Sequence, residues 1–395
     1  MAMALICSAW LTAVAEPLSQ PPLIASPREW VKQLRQISAN ELSQGTAENW
    51  YFHMLSRLLS GAAMACDPTG DEWIQCDQLF RKGSGAPSLK IKRASTTMTG
   101  IGRLMNVRQC VVDVASRGIP GGYLEAGVWR GGNSIMGVAA LQMSGLGGRP
   151  AYLCDSFQGL PRSREGSVRP KEGNVYVRMN RSLAVSEQRV LSNFDRFGVA
   201  RANVTTVPGY FVDSLPPLRK ELLARGETLA ILRMDGDMYD STVDILYNLF
   251  DLVQVGGFVI IDDFGWTSGA VNRSKARARP MFGAKQAMLD FLHIHGVAVE
   301  MKNIDGTGAY FRKPHSVDVK RHLYLRAVES KNYQHLSTAL SEADYFEMMV
   351  RWSASMSAAE RNSVNVISKA ALSYKEHPVA STEAAGERVE MEQSR

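Results

Sequence analysis

Two short apolar runs that end in acids constrain this chain most: Leu229–Thr242, LAILRMDGDMYDST, and Phe258–Phe264, FVIIDDF. Each begins with an unbroken row of Ile, Leu, Val and Phe residues, the composition of a strand buried on both faces of a parallel sheet. Asp235, Asp237, Asp262 and Asp263 therefore fall at strand ends. In an open α/β sheet, ligands bind beyond the carboxyl ends of the strands, so two adjacent strands of this kind bring four acids into one crevice. Four like charges at close range repel. A hard divalent cation such as Mg²⁺ relieves them, taking a few carboxylate oxygens and completing its octahedron with water or substrate oxygens. The plain alternative is a pair of loop tips in solvent, and the apolar residues directly before both clusters fit it poorly.

The remaining sequence alternates strand and helix around these two runs. Gly122–Gly132, GYLEAGVWRGG, reads as a strand entering a glycine-rich turn, and Asn133–Gln142 as the helix that follows. That order lets backbone approach a ligand closely and leaves free amides at a helix start. Ala151–Phe157, AYLCDSF, is a second strand, and its Asp155 lies where a nucleoside-binding sheet places a ribose-binding acid. The alternatives are a solvated turn residue for Glu125 and a helix cap for Asp155. Further on, Ser186–Phe197 reads as a helix, Val204–Phe211 as a strand, Leu218–Leu223 as helical, Ser241–Val253 and Ala284–His295 as helices, and Val297–Lys302 with Gly308–Arg312 as a closing antiparallel pair. The expected fold class is α/β, a doubly wound and mostly parallel sheet.

The chain of 395 residues is long enough for such a domain and additions. Apolar residues at 45% and charged residues at 21% describe an ordinary globular protein. We read residues 1–90 as a helical N-terminal extension, with Trp30, Val31, Leu34 and Ile37 at helical spacing and a linker at Gly83–Leu89. Residues 91–314 are the sheet domain, opened by an amphipathic helix that ends at Gly118. Residues 315–376 form a C-terminal helical extension, with capping-box serines at Ser341 and Ser357, and 377–395 a polar tail expected to be disordered.

The net charge of +6 is spread along the chain, so no nucleic-acid footprint is expected. Cys7, Cys66, Cys76, Cys110 and Cys154 are odd in number and far apart, which indicates neither a disulfide framework nor a zinc site. No stretch is apolar enough to span a membrane. The N-terminus ends an apolar run in AVA but lacks the basic residues of a secretory signal, so a cytoplasmic location is expected, with cleavage of residues 1–16 left open.

Taken together, TMTGIGRLMNV, GGYLEAGVWRGGNSI, DSFQGLP, SEQRVLSNFDRFGV, VPGYFVDSLP, LRMDGDMYDST, GGFVIIDDF and FGAKQAMLDF resemble the macrocin-type (TylF/MycF-like) O-methyltransferases, in family order from about Thr96 to Arg312. The resemblance implies S-adenosylmethionine and Mg²⁺ as cofactors, a methyltransferase domain at 91–314, and a sugar or glycosylated small molecule as acceptor. Position by position, it implies Asp235, Asp262 and Asp263 as metal ligands and Asp237 as general base. It also implies a cofactor site of Glu125, Gly127, Gly131, Ser134, Asp155 and Ser156, with Thr97 and Met98 covering it and Tyr210 and Phe211 beside the adenine.

The chemistry agrees. Methyl transfer from a sulfonium to an alcohol needs alignment and removal of a proton from a weakly acidic hydroxyl. No histidine lies between His53 and His293, so the motif region offers no His base. Asp237 stays open to a second reading as a third metal-shell or turn carboxylate, Tyr210 and Phe211 to one as core aromatics, and Thr97 and Met98 to one as a plain helix start. The loop Asn272–Pro280 places Arg273, Lys275, Arg277 and Arg279 at alternate positions, which suits an acidic acceptor or simply a solvated loop. A homo-oligomer is compatible with all of this. Two other functions compete: a nicotinamide-dependent oxidoreductase, which wants GxGxxG where this chain has ExGVWRGG, and a non-catalytic scaffold, which leaves the clustered acids unexplained.

Overall fold

In the computed structural model, residues 46–61, 95–176, 180–265, 282–305 and 307–338 are described. The expected helix around Trp30, the linker, the basic loop 272–280, the helices after Ser341 and Ser357 and the polar tail lie outside them. Among the described residues there are seven strands: β1 (Gly122–Ala126), β2 (Ala151–Asp155), β3 (Val204–Pro208), β4 (Leu229–Met234), β5 (Val253–Ile261), β6 (Lys302–Asn303) and β7 (Ala309–Arg312). They form one sheet in the order β3-β2-β1-β4-β5-β7-β6. The first five run parallel, and β7 is antiparallel to β5 and to β6. The expected doubly wound, mostly parallel sheet is what forms.

Every residue of β1 and β4 is buried, including the charged Glu125 and Arg233 that interrupt their otherwise apolar runs. Alternate residues face opposite sides. Leu124, Leu232, Val259 and Ile261 enter one core, and Tyr123, Ile231, Phe258 and Ile260 the other. The first core is covered by α5 (Phe211–Arg225), α6 (Tyr239–Leu249), α7 (Gly283–Ile294) and α8 (Arg321–Ser330), and the second by α1 (Ala47–Leu59), α2 (Ile101–Ser116), α3 (Gly132–Met143) and α4 (Glu187–Arg196). Phe52, Leu55 and Leu59 of α1 and Tyr324, Ala327, Tyr333 and Leu336 near the other end of the described residues are part of these cores.

Four boundaries depart from the sequence reading. The helix expected over Ser241–Val253 spans Tyr239–Leu249, and Val253 already opens β5, five residues before the expected Phe258. The third strand stops at Pro208, because Gly209 takes φ +132° and Tyr210 N-caps α5. Helix α5 thus begins at Phe211 rather than Leu218 and runs through Pro216 and Pro217. The stretch Val297–Lys302 pairs only at its end, as the two-residue β6.

Register places the acids. Glu125 pairs with Arg233, and Met234 with Ile261, so Asp235 and Asp262 leave the sheet side by side. The backbone continues this: Asp235 N–H donates to Ala126 O at 2.7 Å and Asp262 N–H to Met234 O at 2.9 Å. The order reverses between β1 and β4, and at such a switch point an open sheet forms its ligand crevice.

Candidate active site

The acid cluster divides in two. One carboxylate oxygen from each of Asp235, Asp237 and Asp263 lies within 4.8 Å of the other two. Asp262, expected among the metal ligands, is not in that group. Its Oδ1 accepts from Arg233 Nη2 at 2.5 Å, and its Oδ2 from Arg103 Nη1 of α2. The Asp262-Asp263 pair thus serves two environments, Asp262 the two guanidiniums and Asp263 the carboxyl trio. Burial works to raise the Asp262 pKa, but Arg103 and Arg233 outweigh it and hold this carboxyl below its ordinary range.

The trio is shifted the other way. Burial and the Asp262 charge push Asp263 up to about 6. Burial, then Asp263 and Asp235, raise Asp237 well above the carboxylate range, and its carboxyl shares a hydrogen bond with Asp263. Burial and Asp262 raise Asp235 in spite of Arg233. Three carboxyls that resist ionising together are what a divalent cation would relieve. Their oxygen donors also suit a hard ion, so the set fits Mg²⁺. The turn between them is strained: Asp237 sits at φ +56°, a left-handed conformation that Asp tolerates better than most residues.

Arg233, which the sequence reading overlooked, organises the floor of this site. It is fully buried within β4, donating from Nη1 to Glu125 Oε1 at 2.6 Å and to Asp235 Oδ2 at 3.2 Å. Its other nitrogen holds Asp262. A single cation inside LAILRM was the only signal, and its partner Glu125 is far away in sequence.

The expected cofactor residues fall in five places. Glu125 is 1% exposed, and besides Arg233 its carboxylate accepts from Tyr123 Oη at 3.0 Å and from Ser134 Oγ. Glu125 and Ser134 thus belong to a buried network beneath the turn. Gly127 has φ +93°, and a Cβ there would overlap the carbonyl of Asp235, so glycine is what lets the β1 and β4 tips meet. Gly131, at φ +86°, N-caps α3 against Val190.

Asp155 reaches across to this turn. Its Oδ2 accepts from the amides of Val128 at 2.7 Å and Trp129 at 3.1 Å, and its Oδ1 from Phe157 N–H at 2.8 Å. A carboxylate has about four acceptor positions, so one is left for a ligand hydroxyl. Ser156 closes a local turn, donating to Gly159 O at 2.6 Å. Thr97 is buried and hydrogen-bonded to Thr99 and Asn133, whereas Met98 stands 48% exposed. Tyr210 caps α5, and Phe211 packs on the first core beside Gly236. The fold therefore brings the glycine turn, Asp155 and the acid trio to one end of the sheet, while Phe211 and Glu125 are packed within it.

With that arrangement in view, residues 29–313 match the macrocin-O-methyltransferase (TylF) family. The chain belongs to this family. As a macrocin-type methyltransferase it is an S-adenosylmethionine-dependent O-methyltransferase, which sets aside the oxidoreductase and scaffold readings. It is 33% identical over 263 residues to demethyldecarbamoylnovobiocin O-methyltransferase of Streptomyces niveus, covering 67% of this chain and 93% of that one. It is 30% identical over 278 residues to mycinamicin III 3''-O-methyltransferase of Micromonospora griseorubida, covering 69% and 99%. The solved structure of the O-methyltransferase NovP aligns with 68% of this methyltransferase and 99% of its own chain, at a TM-score of 0.55 and 33% identity.

Proposed function

We propose that this methyltransferase acts on a hydroxyl of a sugar or sugar-bearing small molecule, with Mg²⁺ held by Asp235, Asp237 and Asp263 and with Asp237 as the base. The observation that carries this reading is the gathering of those three carboxylates at the strand ends, directly beside the glycine turn. The acceptor class draws on the relatives, one of which, 36% identical over 216 residues, methylates a rhamnosyl group of a tetracenomycin.

Bound there, Mg²⁺ supplies orientation and acidification of an acceptor hydroxyl. The chain's own residues do the rest. Asp237 takes the hydroxyl proton, its carboxylate kept ionised once a cation offsets the repulsion of Asp235 and Asp263. Arg233 keeps Asp235 and Asp262 in fixed positions, so the trio does not spread as charge changes. Asp155, with its remaining acceptor position, binds a ribose hydroxyl of the methyl donor, and the turn Gly127–Gly131 gives the donor room near the backbone. The alternating cations of the loop 272–280 favour an acceptor that carries a carboxylate or phosphate.

The experiment is turnover with S-adenosylmethionine on a panel of desmethyl glycosides, neutral and acidic, after EDTA treatment and after Mg²⁺ is restored. Methylation of at least one sugar hydroxyl that disappears with EDTA and returns with Mg²⁺ is the expected result. Full turnover in EDTA would remove the metal, and transfer only to non-sugar phenols would remove the acceptor class.

A further inference from the structure

The family match ends at residue 313, yet the described chain continues to 338 and comes back to the acid end of the sheet. Beyond α8, Tyr333 N–H donates to Gly166 O at 3.2 Å and Gln334 Nε2 to Ser167 O at 3.1 Å. The Arg164 guanidinium lies 4.5 Å over the buried Tyr333 ring. All three partners belong to the segment 161–173, which follows β2 and ends in the first turn of a short helix, Glu172–Tyr176. Contact there is tight: Gly166 has φ +71°, and a Cβ on it would overlap the carbonyl of Lys331.

The same segment grips the helices behind the acids. Arg164 N–H and Ser167 Oγ donate to the Asp240 carboxylate at 2.9 and 2.7 Å. Arg169 Nη1 donates to Gln286 Oε1 of α7 at 2.8 Å. At the end of the segment, Glu172 Oε2 accepts from Tyr239 N–H at 2.8 Å, and the Gly283 amide donates to the same carboxylate. Tyr239 opens α6 two residues after Asp237, and Gly283 opens α7, the helix that follows Asp262 and Asp263 in the chain. One carboxylate thus ties the first amides of both helices that succeed the acid-bearing strands; burial raises its pKa, and the two amides with Arg169 work against that rise. From the far side, Tyr239 Oη donates to Leu336 O at 3.1 Å, and Thr338 N–H to Asp290 Oδ1 of α7 at 2.9 Å.

We propose that residues 331–338 are a positioning strap for the acid site: they seat the segment 161–173 so that Glu172 holds the turn 236–239 and the start of α7 in fixed relation. Glu172 is then a positioning residue, acting on Asp237 through Tyr239 rather than on substrate. The inference rests on the acid cluster being the place of methyl transfer, but its first test needs no turnover, so the two ideas fail separately.

That test is hydrogen exchange on the full metal-free chain, comparing the parent with Gly166→Ala, which drives the segment off the strap, and Gly226→Ala. Gly226 has φ +65° in open space, so its substitution adds comparable backbone strain without a clash. Local opening governs exchange at such sites, and the expected outcome is about tenfold faster exchange at residues 236–242 in Gly166→Ala with strand amides of β1 and β2 unchanged. Gly226→Ala should leave 236–242 at the parent rate. Should Gly166→Ala fail to fold, Tyr333→Leu with Gln334→Ala removes the ring stack and one hydrogen bond while keeping a smaller apolar side chain in the core, with the same pattern expected. On an acceptor methylated by the parent, the strap variants and Glu172→Ala should lower kcat about tenfold, with the KM for S-adenosylmethionine within twofold of the parent. Exchange at 236–242 equal to the parent in both strap variants, or a rise of equal size across the whole sheet, would overturn the proposal.

Discussion

Arg233 donates to Asp262 from inside strand β4, at 2.5 Å and with neither side chain more than 4% exposed. This pair separates the two adjacent acids of FVIIDDF. Asp262 is held by guanidinium groups on both oxygens, and Asp263 is left to the trio with Asp235 and Asp237. The two acids should therefore fail in different ways.

Asp262→Asn removes the carboxylate shared by Arg103 and Arg233, leaving Arg103 to Asp305 and Arg233 to Glu125 and Asp235, so it should destabilise by less than the roughly 3–5 kcal/mol of a buried charge left unpaired. Asp263→Asn removes one of several repelling carboxyls and should leave the metal-free protein as stable as the parent, or more so. Urea unfolding midpoints of the two variants check this. A midpoint for Asp262→Asn equal to that of the parent would contradict the clamp.

The raised pKa values give a pH dependence with a definite sign. An acid whose folded-state pKa lies above its unfolded value binds its proton more tightly when folded, so its contribution is present at low pH and lost as pH rises through the folded value. For Asp263 that loss falls between about 4 and about 6, and Asp237 and Asp235 extend it upward. Asp262 works the other way, its contribution lost only when pH falls through its lowered value. In EDTA, Tm should drop more steeply from pH 4.5 to 7.5 in the parent than in Asp263→Asn. Saturating Mg²⁺ should restore the parent at the upper end.

Asp155→Ala removes the acceptor of three backbone amides and the proposed ribose contact. Loss of hydrogen bonds to a charged group should weaken S-adenosylhomocysteine binding by roughly 1–3 kcal/mol. Calorimetry reads this directly. An unchanged Kd would take Asp155 out of the donor site.

Gly127→Ala tests the close approach of β1 and β4. The substitution meets both an unfavourable φ and the Asp235 carbonyl, so it should cost more than the roughly 1–2 kcal/mol of left-handed strain alone. Gly198→Ala, at φ +66° with open space around it, should show only the strain. Equal losses in the two variants would contradict the contact.

Much of this architecture was legible beforehand, for a physical reason. The apolar runs of β1, β4 and β5 have to be buried, the acids at their ends have to share a crevice, and the glycine turn has to precede a helix. What stayed hidden depends on partners remote in the chain. Arg233 reads as a lone cation until register sets it beside Glu125. Which of Asp262 and Asp263 faces the trio depends on where α2 brings Arg103. Helix α5 begins at Phe211 rather than Leu218, and it carries Pro216 and Pro217, residues that local propensity sets against a helix interior. The strap at 331–338 left no pattern, since half of its bonds use backbone atoms.

The central claim is that Asp235, Asp237 and Asp263 hold the metal and that Asp262 only braces them. Mn²⁺ dissociation constants for the parent, Asp237→Asn, Asp263→Asn and Asp262→Asn, read by electron paramagnetic resonance below each variant's unfolding temperature, test it most directly. The account predicts affinity lost about tenfold or more in Asp237→Asn and Asp263→Asn, each lacking a charged ligand, and a smaller loss in Asp262→Asn. Parent-like affinity in Asp237→Asn and Asp263→Asn, with binding abolished in Asp262→Asn, would contradict it.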